Sequence, residues 1–354
     1  MRRARTAFAG VVLSWLAVLL ISSGASGAAS TGPLFRFADT RIVESSGLAT
    51  SSYGDGVVYT HNDSGDSARF FAVDRHGATV AVYTLRGATN VDWEDMATGT
   101  DARSRPVLYL ADIGDNARSR TEIDVYEVAE PRGPSSDVAW VRYRFRYPDG
   151  AHDAETLLAD PRTHRMYIAT KSLIGNGELY AAPLALSTDG LNVLAPLRAV
   201  PPLTTSGDFS PDGSRVVLLT YLRGYWATGL GGSLHGFDVP PQPQNEAITF
   251  ARDGASVLVG SEGLHSAVYA VALPAVAAPT VATSTVAAAS VPPSSVSSSA
   301  LPSASTSAAA THRRSHGWQW AAGVAVMLAI GAVLVGRWWL PDRAVHVADG
   351  DGTN

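Results

Sequence analysis

Five copies of one pattern run through the chain, and they constrain its fold more than any other feature. An acidic residue opens an apolar run at Glu44-Ser-Ser-Gly-Leu, Glu94-Asp-Met-Ala, Glu155-Thr-Leu-Leu, Asp208-Phe-Ser and Glu246-Ala-Ile-Thr-Phe. After a short turn segment comes a second run rich in β-forming residues: Val57-Val-Tyr-Thr, Val107-Leu-Tyr-Leu, Met166-Tyr-Ile-Ala, Val216-Val-Leu-Leu and Val257-Leu-Val. Each second run ends at a polar or charged residue, namely Asp63, Asp112, Lys171, Arg223 and Glu262. The two markers lie 19, 18, 16, 15 and 16 residues apart in the successive units. Agreement this close indicates one structural unit used repeatedly.

A third strand is predicted in every unit: Arg69-Phe-Phe-Ala-Val, Ile123-Asp-Val-Tyr-Glu-Val, Glu178-Leu-Tyr-Ala-Ala, Ser233-Leu-His-Gly-Phe and Ala267-Val-Tyr-Ala-Val. A fourth is clear at 79–85, 138–147 and 193–200. Glycine closes the turns Arg75-His-Gly77, Ser210-Pro-Asp-Gly213 and Arg252-Asp-Gly254, as tight hairpin loops require. Repeated four-stranded units describe propeller blades, so the expected fold is all-β: a five-bladed β-propeller. A six-bladed ring, with one blade unmarked by the repeat, is the alternative; a β-sandwich does not explain the phase of the acidic markers. The fifth unit lacks an outer strand after Leu273, whereas 34–43 reads as a strand with no unit of its own. This N-terminal strand is expected to complete the last blade and so remove an open edge. In unit four Pro240-Pro241-Gln-Pro243 stands where an outer strand would be, a place where proline is tolerated.

The ends read as export and anchoring. Arg2, Arg3 and Arg5 precede an apolar run from Ala7 to Ile21 and a small-residue exit, the layout of a cleaved signal peptide over 1–28. Residues 34–274 form the expected ectodomain, roughly 240 residues, enough for one domain. Residues 275–312 are nearly all Ala, Ser, Thr, Pro and Val, a composition too poor in large apolar groups to order itself, and read as a stalk. A charge-free apolar stretch with flanking tryptophans makes 317–340 the expected single C-terminal transmembrane helix. Residues 341–354 would then be a cytoplasmic tail, with the ectodomain outside the cell membrane. The chain has no cysteine, so the ectodomain stands on core burial alone. A net charge of -5 argues against a nucleic-acid partner.

The Phe209-Ser-Pro-Asp-Gly213 turn resembles the repeat of TolB-like and WD40-like bacterial propellers. His61-Asn-Asp-Ser-Gly65, Asp92-Trp-Glu-Asp95 and Asp112-Ile-Gly-Asp-Asn116 resemble segments of an actinobacterial group of exported propellers. A five-bladed ring with an inward acid per blade is also similar in architecture to calcium-dependent nucleotidases of the apyrase type. That likeness implies calcium and phosphate-ester hydrolysis, and no full motif carries it.

In a propeller the start of each first strand and the end of each second strand reach one mouth of the central channel. The repeat therefore predicts a ring of Glu44, Glu94, Glu155, Asp208 and Glu246, surrounded by Asp63, Asp112, Lys171, Arg223 and Glu262. Carboxylates brought this close need a cation or basic side chains among them, and oxygen ligands without sulfur suit calcium. The competing expectation is a structural ring whose carboxylates accept backbone N–H bonds, with Lys171 and Arg223 as partners. Asp115, with Asp112, belongs to an oxygen-rich loop that reads equally as an ion site or as Asx turns. His61 and His152 are candidate general bases beside Asp63, Asp153 or Glu155. The chain has no G-x-S-x-G elbow, no phosphate-binding glycine loop and no H-E-x-x-H. The expected function is a binding module that presents an acidic, calcium-bound face to an extracellular protein, a glycan or a small ligand. The alternative is a calcium-dependent extracellular hydrolase of phosphate esters or similar polar substrates.

Overall fold

A computed structural model describes residues 32–54, 56–101 and 103–274; the predicted signal peptide, stalk, membrane helix and tail lie outside the described residues. Five antiparallel blades follow one another in sequence. Their innermost strands are Ser45–Thr50, Trp93–Thr100, Ala154–Ala159, Thr204–Phe209 and Asn245–Phe250. These strands pack against one another around the ring and are almost wholly buried, which explains why they read as near-continuous apolar and small-residue runs. The second strands are Val58–Asn62, Pro106–Asp112, Met166–Thr170, Val216–Thr220 and Ser256–Ser261.

Closure is as expected. Phe35–Arg36 pairs antiparallel with Ala267–Ala272, so the N-terminal strand forms the outer edge of blade five. Phe35 and Phe37 lie in an apolar cluster with Phe71 of blade one and Val268 of blade five. Each neighbouring pair of blades has such a cluster between its sheets, so the core is a set of wedges around the ring. Trp93 is one wedge residue, fully buried between blades one and two.

Blade four corrects the strand reading. Its third strand is Gly224–Ala227, and the predicted third strand supplies the outer one, His235–Phe237. The aromatic pair Tyr225-Trp226 between glycines and a short turn hid a strand too brief to show alternation. The run predicted over 193–200 is also divided. Ala195–Val200 closes blade three, whereas Leu191–Val193 adds in parallel to the outer strand Trp140–Arg146 of blade two. Ser136–Asp137 does the same for the outer strand Thr79–Thr84 of blade one. Two inter-strand connections thus reach back to cover the preceding blade's open edge.

Candidate functional site: an acidic channel mouth

A shift of register at the start of each innermost strand builds the site. It falls between Trp93 and Asp95, Ala154 and Thr156, Thr204 and Ser206, and Asn245 and Ala247, with a wider one from Ser45 to Leu48. A β-bulge re-aims the extra residue, and in three blades that residue is glutamate: Glu94, Glu155 and Glu246. Blade four has Thr205 there and blade one the Ser46-Gly47 pair. All three glutamates are buried.

The register corrects the predicted ring in two blades. Asp208 stands three residues beyond its blade's bulge, pairs with Val217, and lies at the opposite end of the channel. There it lines a cavity of about 390 Å³ to which every blade contributes. Its Oδ2 accepts from Thr249 Oγ1 at 2.9 Å and from the Phe250 amide at 2.8 Å, and burial pushes the carboxyl up to about 7. Glu44 precedes its bulge by two residues and contributes its charge to the rim beside Asp63. The acids that share its place in blades two and three are Asp92 and Asp153. The signal for them was the twice-used Asp-x-Glu, Asp92-Trp-Glu94 and Asp153-Ala-Glu155.

Two overlapping carboxylate triads result. Asp63, Asp92 and Glu94 each place an oxygen within 4.8 Å of the others, and so do Glu94, Asp153 and Glu155. Glu94, only 5% exposed, belongs to both. Lys171 Nζ pairs with Glu155 Oε1 and stands 3.9 Å from Asp153 Oδ2. Further round the mouth, Gln244 Nε2 donates to Glu246 Oε1 and, at 3.0 Å, to Glu262 Oε2. The amide of Asp115 donates to Asp153 Oδ1 at 3.1 Å. Gly114 lies directly against Glu94 Oε1 and Asp92 Oδ2, where a β-carbon would overlap both oxygens.

Burial raises the proton affinity of Asp63, Asp92, Glu94 and Glu246, and repulsion from neighbouring carboxylates adds to it. Burial first, then the charges of Asp92 and Glu262, push Asp63 up to about 8. Glu94 is held well above the usual carboxylate range by burial, with Asp63 adding and Lys171 opposing. Glu246 is pushed up to about 7 by burial, against the pull of Lys171 and Gln244. Such a set is relieved by protons or by a cation.

The remaining predicted residues hold the loops. Asp112 accepts from the amides of Val91 and Asp92, both at 3.2 Å, and from Arg120 Nη1 at 2.8 Å. It anchors the segment that carries Asp92, and Gly114, two residues on, reaches the mouth in its place. Asp115 accepts from the amides of Ser119 and Arg120, four and five residues on, and so closes its own loop. In blade four Tyr221 follows the second strand at the place of Lys171, and Arg223 turns outward toward Asp238, at 3.8 Å. His61 is fully buried, its Nδ1 3.0 Å from the Asn62 carbonyl and its ring edge-on to Trp93. Desolvation holds it down at about 4, so it is neutral and sealed from solvent. His152 is accessible: Nε2 lies 3.1 Å from Asp149 Oδ1 and 3.2 Å from the Tyr180 hydroxyl. With Asp153 and Lys171 it lines a cavity of about 420 Å³ beside the mouth.

No family model matches the chain, and no curated protein does. Solved structures match at low similarity. One is a gluconolactonase from Xanthomonas campestris, at 17% identity over 68% of this chain and 88% of that one, with a TM-score of 0.40. Another belongs to a nidogen/laminin complex, at 15% identity over 64% and 84%, with a TM-score of 0.40. A third, from the hydrazine synthase of Kuenenia stuttgartiensis, matches at 12% identity over 61% of each chain, with a TM-score of 0.36.

Proposed function

We propose that the chain is an exported, membrane-anchored binding module whose acidic mouth holds calcium and presents it, with the surrounding face, to an extracellular ligand. The observation that carries this reading is the sharing of Glu94 between two carboxylate triads. Glu94 is buried, and no hydrogen-bond donor to its carboxylate is found among the described residues. A buried carboxylate lacking donors is costly as an anion unless a cation lies against it. Lys171 engages Glu155 and Asp153, which leaves the Asp63–Asp92–Glu94 side for another cation. The donors on that side are hard carboxylate oxygens on three side chains from two blades, a set suited to calcium, whose high and irregular coordination water can complete. Export and anchoring rest on the basic, apolar and small-residue order of 1–28 and on the charge-free stretch within 317–340.

The test is a thermal melt of the full-length chain in detergent, with calcium and with chelator, for the parent and for Glu94→Gln. Calcium at a hundredfold excess over its dissociation constant should stabilise the parent by about 2.7 kcal/mol. Glu94→Gln should lose that increment, yet melt higher than the parent in chelator, because glutamine is neutral without the cost of protonating or burying a carboxylate. No calcium shift in the parent, at any concentration up to millimolar, would sink the reading.

Hydrolysis of a polar substrate is the second reading. One observation favours it: His152, paired with Asp149, shares a cavity with Asp153 and Lys171 at the edge of the triads. Turnover of a phosphate ester that Glu94→Gln and His152→Gln both abolish would move the assignment there.

A further inference from the structure

The face that carries the acidic mouth shows a second regularity, in its apolar residues. Each blade carries an exposed aliphatic residue in a loop that adjoins the mouth. Val43 and Val91 come from the segments leading into the innermost strands of blades one and two. Ile174, Leu222 and Leu264 come from the loops after the second strands of blades three, four and five. Ile174 is 88% exposed, Leu222 69%, Leu264 56% and Val91 55%. Most other exposed aliphatics, such as Val80, Val141 and Leu197, sit on the outer strands instead. Isolated surface aliphatics are ordinary; here one stands in a mouth-side loop of every blade, around a single charged centre.

The charge of that centre selects the occupant. Beyond the two triads the mouth also carries Glu44, Glu246 and Glu262, so that its carboxylates outnumber the neighbouring cations Lys171 and Arg120. A bound divalent ion would leave it negative. An anionic lipid surface is therefore repelled, and so is the same face of a second copy. A polar small molecule would leave the aliphatic collar in water. We infer that this face docks a protein whose contact segment sets aliphatic side chains around a lysine or arginine. The collar supplies buried apolar area at about 25 cal/mol per Å², and the acidic centre supplies orientation and rate of encounter. The inference rests on reading this face as the binding face, and not on the identity of the ion.

The probe is a displayed library of random short peptides, selected on the full-length chain and on an Ile174→Asp/Leu222→Asp variant. Both substituted positions are exposed, so the variant should keep the parent's melting temperature. Peptides enriched on the parent are expected to carry Leu, Ile or Val on either side of a Lys or Arg. Their binding should weaken roughly tenfold or more on the variant, or when the central base becomes glutamate. Absence of enrichment, enrichment without a basic centre, or equal enrichment on the variant overturns the inference. So does self-association of the parent, or its binding to phosphatidylcholine vesicles, that the variant abolishes. Selection repeated in chelator separates the two readings. Enrichment that persists in a chain showing no calcium shift retires the calcium centre alone. A calcium shift without enrichment retires the docking face alone.

Discussion

Asp95, in blade two, accepts a hydrogen bond from the Ser206 hydroxyl of blade four at 3.0 Å, joining two blades that are not neighbours in the ring. The same carboxylate takes the Leu157 amide of blade three at 3.0 Å, and Ser206 Oγ accepts the Ile248 amide of blade five at 3.1 Å. Blade one joins by close packing, since Gly47 leaves no room for a β-carbon against the Asp95 and Met96 backbone. One side chain just inside the mouth therefore ties the ring together along its axis. Removing it should orphan the Leu157 amide and leave Ser206 without its acceptor. Asp95→Ala is expected to cost about 3 kcal/mol and Ser206→Ala about 1 kcal/mol. Urea denaturation of both single variants and the double would show coupling, because Ser206 loses its partner in either case. Strictly additive losses would mean that the two blades are held together elsewhere.

Gly114 touches the mouth from the side. A methyl group there must displace the oxygens of Glu94 and Asp92, whereas its loop stays anchored by Arg120 on Asp112 at 2.8 Å. Gly114→Ala should therefore keep the parent's circular dichroism and lose most of the calcium-dependent stabilisation. An unchanged calcium titration would place the ion away from the Asp92–Glu94 pair.

The opposite mouth offers a pH test free of the metal question. Asp208, raised by burial from 3.8 to about 7, holds its proton in the folded state across an interval where the unfolded chain has lost it. The folded state binds more protons there, so this group makes stability fall as pH rises from about 4 to about 7, by up to about 1.4 kcal/mol per pH unit. Asparagine copies the neutral form, and its carbonyl can accept from Thr249 and Phe250 as Oδ2 does. Asp208→Asn should thus be near neutral at pH 4 and increasingly stabilising up to pH 8. A difference between variant and parent that does not change with pH would show Asp208 ionised throughout.

Ring closure rests on a two-residue ladder, flanked by the Leu34 and Phe37 amides bonding to Val268 and Ser266. So few hydrogen bonds cannot hold a strand against its entropy, and the burial of Phe35 and Phe37 supplies the rest. Phe37→Ala should cost about 3–5 kcal/mol. Limited proteolysis should then cut the N-terminal segment and the outer edge of blade five first. Uniform digestion across the blades would mean that closure is maintained without the phenylalanine.

How much the sequence settled differs between blades for physical reasons. Blade number, the innermost and second strands, and closure by the N-terminal segment were legible, because each blade must bury the same inner strands against its neighbours. That shared demand imprinted one phase on Glu94, Glu155 and Glu246 and on the apolar runs behind them. Outer strands answer to weaker demands, which is why Gly224–Ala227 and the division at Leu191–Val193 went unread.

The acids of the mouth mark the boundary most clearly. The sequence alone determined that acidic residues recur at strand starts, and so that one end of the channel would be charged. Only the tertiary structure decided which of them meet, because a bulge turns one residue out of the alternation and shifts all that follow. In blade four Asp208 stands three residues past the bulge and so at the far mouth, Asp92 and Asp153 stand two residues before theirs and reach the near one, and Asp112 anchors a loop instead of lining the rim. Pairing register is set by contacts between strands, and no spacing along one strand contains it.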